Sequence, residues 1–225
     1  MADPMLILFT VFFSSFVIAL SGALMPGPLL TATISESSRR GFWSGPLLIL
    51  GHGILELALV AALLAGMAPF LRADWFFVTV SLAGGAILLW MAFGMFRSLP
   101  LLSVERVTGT ASRPEMTGRA HRKLVLSGIL LSLSNPYWTI WWASIGIGYI
   151  LYCQRFGAWG VAFFFAGHIL ADLVYYSAVS AAIAKGRRFF SDRIYRGITA
   201  FCAFSLVVFA CYFAFTGVRK LAVLM

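Results

Sequence analysis

A long uncharged segment with prolines inside it constrains the fold of this chain most strongly. No ionisable side chain occurs in residues 4–35, and the motif Pro26-Gly27-Pro28 lies within this segment. As one unbroken helix the segment would be about 48 Å long, whereas the hydrocarbon core of a bilayer is about 30 Å thick. Proline lacks a backbone donor and clashes with the preceding helical turn, so a helix break is predicted at this motif.

The composition indicates an integral membrane protein. Of the 225 residues, 61% are hydrophobic and only 11% are charged, whereas a soluble domain is about half apolar and about one quarter charged. The net charge of +9 comes from basic residues in short loops beside hydrophobic segments, a placement that favours membrane lipid over nucleic acid as a partner. We expect one transmembrane domain over residues 1–225, and its self-association into a homo-oligomer is left open.

Six hydrophobic spans are predicted when charged residues, apart from two pairs of histidine and acid, are taken as boundaries. The first three spans form one repeat over about residues 4–96, and the last three form a second repeat over about 124–218. A polar connector at 97–123, predicted to be cytoplasmic, joins the two repeats. The predicted fold class is an all-α integral membrane protein whose first and fourth helices are broken at proline motifs. The predicted spans are residues 4–35, 41–71, 75–96, 124–154, 156–184 and 197–218.

The two halves of the chain share an internal pattern. His52 and Glu56 match His168 and Asp172 in spacing, and a glycine precedes each histidine. Because each half has three spans, an odd number, the second repeat enters the membrane from the opposite side and the repeats are inverted. Connectors on one side carry 13 of the 17 Lys and Arg residues and those on the other carry 4, which predicts that the first side is cytoplasmic and both termini are outside.

The matched histidines and acids are candidate binding or coupling residues. His52 and Glu56 share one helix face because they are four residues apart, and so do His168 and Asp172. An acid near the middle of a span is costly unless it is neutralised, paired or hydrated. We therefore expect these four residues to bind substrate or to carry coupling protons. The alternative, in which each histidine only neutralises its own acid between packed helices, stays open.

The two predicted helix breaks supply further candidate groups. A freed helix N-terminus presents amides that suit a carboxylate, and freed carbonyls with side-chain oxygens such as that of Ser132 suit an ammonium. Interruptions at corresponding places in two halves are typical of a transporter's binding site, and this one would fit a zwitterion. The predicted broken-helix site consists of Ser21, Met25, Pro26, Gly27, Pro28, Ser134, Asn135, Pro136 and Tyr137.

Three tryptophans follow the second predicted break. Trp138, Trp141 and Trp142 occupy one helix face, as expected from their spacing. Tryptophan commonly marks the headgroup region of a membrane. This position is favoured for all three residues over a role in stacking or gating.

The motif Pro26-Gly27-Pro28, the pair Asn135-Pro136, the glycines at 41, 45 and 51, and Asp172 resemble the LysE/RhtB superfamily of small bacterial exporters. The resemblance covers nearly the whole chain. It implies six spans in two repeats, a multi-pass location in the cytoplasmic (inner) membrane, and secondary active, proton-coupled export of amino acids or related small solutes. The chain departs from the family at Tyr137, where many members have lysine, and at His52 and Glu56, which are not part of the common pattern.

One alternative function stays open, and the sequence argues against another. Two imidazoles and two carboxylates are suitable ligands for a transition metal, so the alternative is export of a divalent metal cation bound by His52, Glu56, His168 and Asp172. A redox enzyme would need a cysteine pair at the broken spans, where the sequence has none. We therefore expect a small-molecule or ion substrate, no enzymatic activity, no catalytic residues and no cofactor.

Overall fold

The computed structural model describes residues 3–71, 73–101, 116–186 and 192–224. Within these ranges the chain is helical and contains no β-strand. The helices are α1 (Pro4–Ala23), α2 (Pro28–Arg40), α3 (Ser44–Ala62), α4 (Ala68–Leu71), α5 (Asp74–Ser98), α6 (Gly118–Leu133), α7 (Pro136–Trp141), α8 (Ile147–Cys153), α9 (Gly157–Gly186) and α10 (Asp192–Leu224). Turns of π-helix at Leu63–Met67 and Trp142–Gly146 join α3 to α4 and α7 to α8, and 3₁₀ turns follow α5 and α8.

Five helical segments of the described chain are long and apolar enough to cross a membrane. They are Pro4–Ala23, Ser44–Leu71, Asp74–Ser98, Pro136–Gly186 and Arg196–Leu224. The prediction of an all-α membrane protein is thereby confirmed. The fourth segment turns at Gly157, where φ is 67°, so it contains part of predicted span four together with span five. The helix α6 has only 16 residues and is not among the five.

The first helix break separates α1 from α2 at the proline motif. Gly27 precedes α2 in an extended conformation and Pro28 is its first residue. Proline suits the first helical position because its missing N–H would have no intrahelical partner there. Arg39 and Arg40 lie in the last turn of α2, where positive charge interacts favourably with the helix dipole.

The second break separates α6 from α7 at Ser134 and Asn135. The Asn135 Oδ1 atom accepts a hydrogen bond of 3.1 Å from the backbone N–H of Tyr137 and so caps α7. The helix α6 begins at Gly118, whereas the sequence predicted a start at residue 124. The prediction was wrong because the basic residues in the first two turns of α6 were assigned to the connector. Residues 102–115 of the predicted connector lie outside the described residues.

The three largest helix interfaces each join the first half of the chain to the second. They pair α1 with α9, α3 with α6, and α5 with α10. Two glycines permit close approach at the first two interfaces. A Cβ atom on Gly51 would collide with the carbonyl oxygen of Val125 in α6, and one on Gly167 would collide with that of Phe12 in α1. The histidine after each of these glycines is thereby held in the protein interior.

Candidate functional site

Four ionisable side chains from two helices meet in the interior. His52 and Glu56 come from α3, His168 and Asp172 come from α9, and none is more than 6% exposed. Their spacing puts both residues of a pair on one helix face, and α3 contacts α9. The two faces therefore converge, and we call these four residues the acid–imidazole cluster.

Each histidine of the cluster contacts both acids. His52 Nε2 lies 3.1 Å from Glu56 Oε1 and 3.6 Å from Asp172 Oδ2. His168 Nε2 lies 3.2 Å from Glu56 Oε2 and 3.7 Å from Asp172 Oδ2. Glu56 is thus the nearer acid for both imidazoles, including the one on the other helix. The simple arrangement in which each histidine neutralises only the acid of its own helix does not describe these contacts.

Two tryptophans hold the Glu56 carboxylate. The indole Nε1 atoms of Trp138 and Trp142 donate hydrogen bonds of 3.0 Å and 2.9 Å to Glu56 Oε1. The headgroup position favoured from the sequence is wrong for these residues, because their N–H groups point into the protein. Spacing alone places them on one face without telling which face it is. A buried acid in another span is the signal that could have identified them as its donors.

The Ser132 hydroxyl of α6 lies between the His52 ring and the backbone of its own helix. It donates to the carbonyl oxygen of Gly128 at 2.7 Å and lies 2.7 Å from His52 Nδ1. A hydroxyl has a single hydrogen, so in this arrangement His52 Nδ1–H is the donor to Ser132. The other ring nitrogen, Nε2, faces the two acids.

Three polar atoms of the cluster have no hydrogen-bond partner among the described residues. They are Glu56 Oε2, Asp172 Oδ2 and His168 Nδ1. A buried polar atom left unpaired costs about 1–3 kcal/mol, and a charged one costs more. The two carboxylate oxygens are consequently available to a bound proton or cation.

Aromatic rings surround His168. The centroid of its imidazole lies 4.9 Å from that of Trp141, 5.3 Å from that of Trp142 and 5.8 Å from that of Phe164. These rings cover the imidazole and leave its Nε2 edge toward the acids. Trp141 was also assigned to the headgroup region from the sequence, and its place beside His168 shows that this assignment is wrong.

A pocket adjoins the cluster. All four cluster residues line it. Of the predicted broken-helix residues, Met25, Gly27, Asn135 and Tyr137 line it as well. Both helix breaks therefore reach the same pocket as the acids.

Ser21 lies beside this pocket and connects α1 to the fourth predicted span. Its hydroxyl accepts a hydrogen bond of 3.2 Å from Trp141 Nε1. Its backbone carbonyl accepts one of 3.3 Å from the Tyr137 hydroxyl. Ser21 therefore supports the aromatic side chains of the pocket from outside its lining.

The other predicted residues of the breaks line separate cavities. Ser134 and Pro136 border an apolar cavity on the far side of Trp138 and Trp142. Pro26 and Pro28 border a smaller cavity that also touches Asn135. These four residues shape the breaks without facing the acid–imidazole cluster.

Hydrogen-bond donors occur at the start of α2, where Gly27 and Leu29 line the pocket. Among the described residues no side chain caps α2, and the backbone N–H groups of Leu29 and Leu30 have no intrahelical partner. A Cβ atom on Gly27 would lie 3.6 Å from Asn135 Nδ2, which places this side-chain N–H group next to the start of α2. The pocket thus combines buried carboxylates with a group of N–H donors.

The fold and the pocket define a class of protein, namely a helical membrane translocator with a polar site between interrupted helices. The chain belongs to the LysE type translocator family, whose model matches residues 20–217 and so includes both breaks and the whole cluster. It is 25% identical over 213 residues to YcgF of Bacillus subtilis (strain 168), whose name gives amino acid efflux as a proposed function. That match covers 94% of this chain and 98% of YcgF. No solved structure matches the chain.

Proposed function

We propose that the protein is a secondary active exporter of amino acids or related small solutes in the cytoplasmic membrane. Family membership supports transport, and the name of the YcgF relative supports the class of solute. The observation that carries the proposal is the pocket that joins both helix breaks to the four buried residues of the acid–imidazole cluster.

The pocket suits a zwitterion because its opposite charges would meet complementary groups. Glu56 Oε2 and Asp172 Oδ2, which accept no hydrogen bond from the described residues, would receive the ammonium of the solute. The uncapped start of α2 would receive the carboxylate, with help from Asn135 Nδ2. A helix N-terminus favours an anion through its free amides and its positive dipole end.

The proposed architecture is one transmembrane domain of six spans arranged as two inverted repeats. The helix interfaces support this arrangement. An inverted repeat relates span one to span four, span two to span five and span three to span six. Under this exchange, the contact between spans one and five becomes the contact between spans four and two. The contact between spans three and six is unchanged. The bias of basic residues supports a cytoplasmic connector and external termini.

Competition between a proton and the solute would couple export to proton entry. A carboxylate that binds the solute's ammonium is negatively charged, and a proton on Glu56 or Asp172 removes that charge. Proton binding from outside would therefore release the solute, and proton loss to the cytoplasm would restore the binding site. This exchange gives the cluster a transport role that explains why two acids are kept in the membrane interior.

Purified protein in liposomes tests the proposal. Vesicles are loaded with labelled amino acids of different side-chain classes, and efflux is measured with and without a pH gradient directed inward. We expect the gradient to accelerate efflux, and Glu56→Gln and Asp172→Asn to abolish that acceleration. Glu36→Gln and Asp74→Asn are the matched controls, because these acids form ion pairs with Arg40 and Lys220 outside the cluster. Normal coupled efflux by both cluster variants would remove the proposed roles.

A further inference from the structure

We propose that the acid–imidazole cluster binds a divalent transition metal ion. The ligands are His52 Nε2, one oxygen of Glu56 and Asp172 Oδ2, whose three residues can place one ligand atom each within 4.8 Å of one another. Binding at this site does not depend on export of amino acids, although the ion would occupy the place proposed for the ammonium of the solute.

The distances from the histidine nitrogens to the carboxylate oxygens are close to those expected around one ion. Bonds of about 2.0–2.2 Å from nitrogen and oxygen to a transition metal place neighbouring ligands about 3–3.5 Å apart. His52 Nε2 lies 3.1 Å from Glu56 Oε1 and 3.6 Å from Asp172 Oδ2. His168 Nε2 lies 3.2 Å from Glu56 Oε2 and 3.7 Å from Asp172 Oδ2, so it borders the site without belonging to the three-ligand set.

The ligand atoms have free lone pairs. Both tryptophans donate to Glu56 Oε1. The other oxygen of this carboxylate, Oε2, has no hydrogen-bond partner among the described residues, and neither has Asp172 Oδ2. His52 Nδ1 is hydrogen-bonded to Ser132, so the opposite nitrogen is the one that can bind an ion. Histidine ligands of metals usually donate their other ring N–H in this manner.

The charge and the type of ligand identify the class of ion. Two carboxylates balance a divalent cation, so the occupied site would have no net charge in the membrane interior, where uncompensated charge is costly. Imidazole nitrogen suits zinc and its neighbours, whereas magnesium and calcium prefer oxygen alone. The cluster is accordingly a site for a zinc-like ion.

Equilibrium dialysis of untagged, chelator-treated protein against Zn²⁺ tests the site directly, and the absorption bands of bound Co²⁺ report its ligands. We expect one ion per chain and a loss of at least tenfold in affinity in His52→Ala and in Asp172→Asn. Ser132→Ala leaves every ligand in place and should weaken binding by about 10- to 100-fold through the orientation of His52. His121→Ala is the control, because this histidine is exposed on α6 and should not affect binding.

Helical circular dichroism and gel-filtration volume establish whether each variant is folded. If a ligand variant does not fold, the comparison of Ser132→Ala with the wild type still tests the site. No stoichiometric binding by the wild type, or equal affinity in wild type and folded Ser132→Ala and His52→Ala proteins, would overturn the proposal. The dialysis involves no transported solute, so its failure would leave the proposed export function intact. In liposomes, Zn²⁺ should slow amino acid efflux, and the half-inhibiting concentration should rise in Ser132→Ala.

Discussion

Trp138 of α7 and Glu56 of α3 are joined by a hydrogen bond of 3.0 Å between the indole Nε1 and the carboxylate Oε1. The bond crosses from the second predicted span to the fourth and begins three residues after the helix break at Asn135. Together with the bond from Trp142 it occupies Oε1 and leaves Oε2 for other partners. A movement of the break would therefore move a direct partner of the central acid.

Trp138→Phe should impair export while it preserves the fold. Phenylalanine keeps a ring in the same place but removes the N–H donor to Glu56. A hydrogen bond to a charged group contributes about 1.5–3 kcal/mol, so the efflux rate should fall by about 10- to 100-fold. Initial rates in liposomes provide the measurement. Trp90→Phe changes a side chain that is 75% exposed and should have the wild-type rate; equal rates in the two variants would contradict the role of Trp138.

Asn135→Asp should separate the cap of α7 from the binding of the solute's carboxylate. Aspartate retains an oxygen that can accept from the Tyr137 amide, so the melting temperature should stay near that of the wild type. Its second oxygen replaces the Nδ2 donor by a negative charge at the start of α2, which should raise the KM for amino acids.

The matched variant Asn135→Ala loses the cap, and its stability should fall by about 1 kcal/mol. Export of an amine without a carboxylate would be the substrate control, because this solute does not need the donor. A KM for amino acids that is unchanged in Asn135→Asp would exclude Asn135 from the carboxylate site.

Gly51→Ala should destabilise the protein. The added methyl group would collide with the carbonyl oxygen of Val125, and overpacking of this kind costs about 1–3 kcal/mol. Gly94 in α5 has open space around the position of a Cβ atom. Gly94→Ala should therefore stabilise the helix by up to about 1 kcal/mol. Thermal unfolding in detergent measures both changes, and shifts of the same sign would show that the close contact of α3 with α6 does not limit stability.

Ser15→Ala should lower stability slightly without a change in transport. The Ser15 hydroxyl donates across helices to the carbonyl oxygen of Phe164 at 2.6 Å, and such bonds within membranes contribute about 0.6 kcal/mol on average. Among the described residues, the neighbouring Ser14 hydroxyl bonds only to the Thr10 and Val11 carbonyls of its own helix. Ser14→Ala is consequently the control, with unfolding and efflux both measured; a loss of efflux in Ser15→Ala alone would give this contact a functional role.

The helix breaks and the membrane class could be predicted because proline chemistry and hydrophobicity act locally. The first helix ends and restarts around Pro26-Gly27-Pro28, and the fourth span restarts at Pro136. The start of α6 could not be located in this way. Basic residues near its beginning belong to the helix, so the use of charges as boundaries assigns them to the connector.

The cluster was only partly predictable. The repeated spacing of histidine and acid selects His52, Glu56, His168 and Asp172, but spacing within a helix does not determine partners between helices. The nearer acid of His168 is Glu56 on the other helix rather than Asp172 on its own. The tryptophans were misplaced for a related reason, since the same helical face can be turned toward lipid or toward a buried acid.

The pairing of α1 with α9, α3 with α6 and α5 with α10 interlocks the two halves of the chain. A rocking of one half against the other as rigid bodies would pull apart all three of these interfaces at once. Helical hydrogen bonding is already interrupted before Pro28 and before Pro136. If the backbone bent at these two places, the pocket could open to one side of the membrane and then to the other with the least disturbance of the three interfaces. Alternating access in this chain would then be a matter of two hinges inside spans rather than of a swivel between halves.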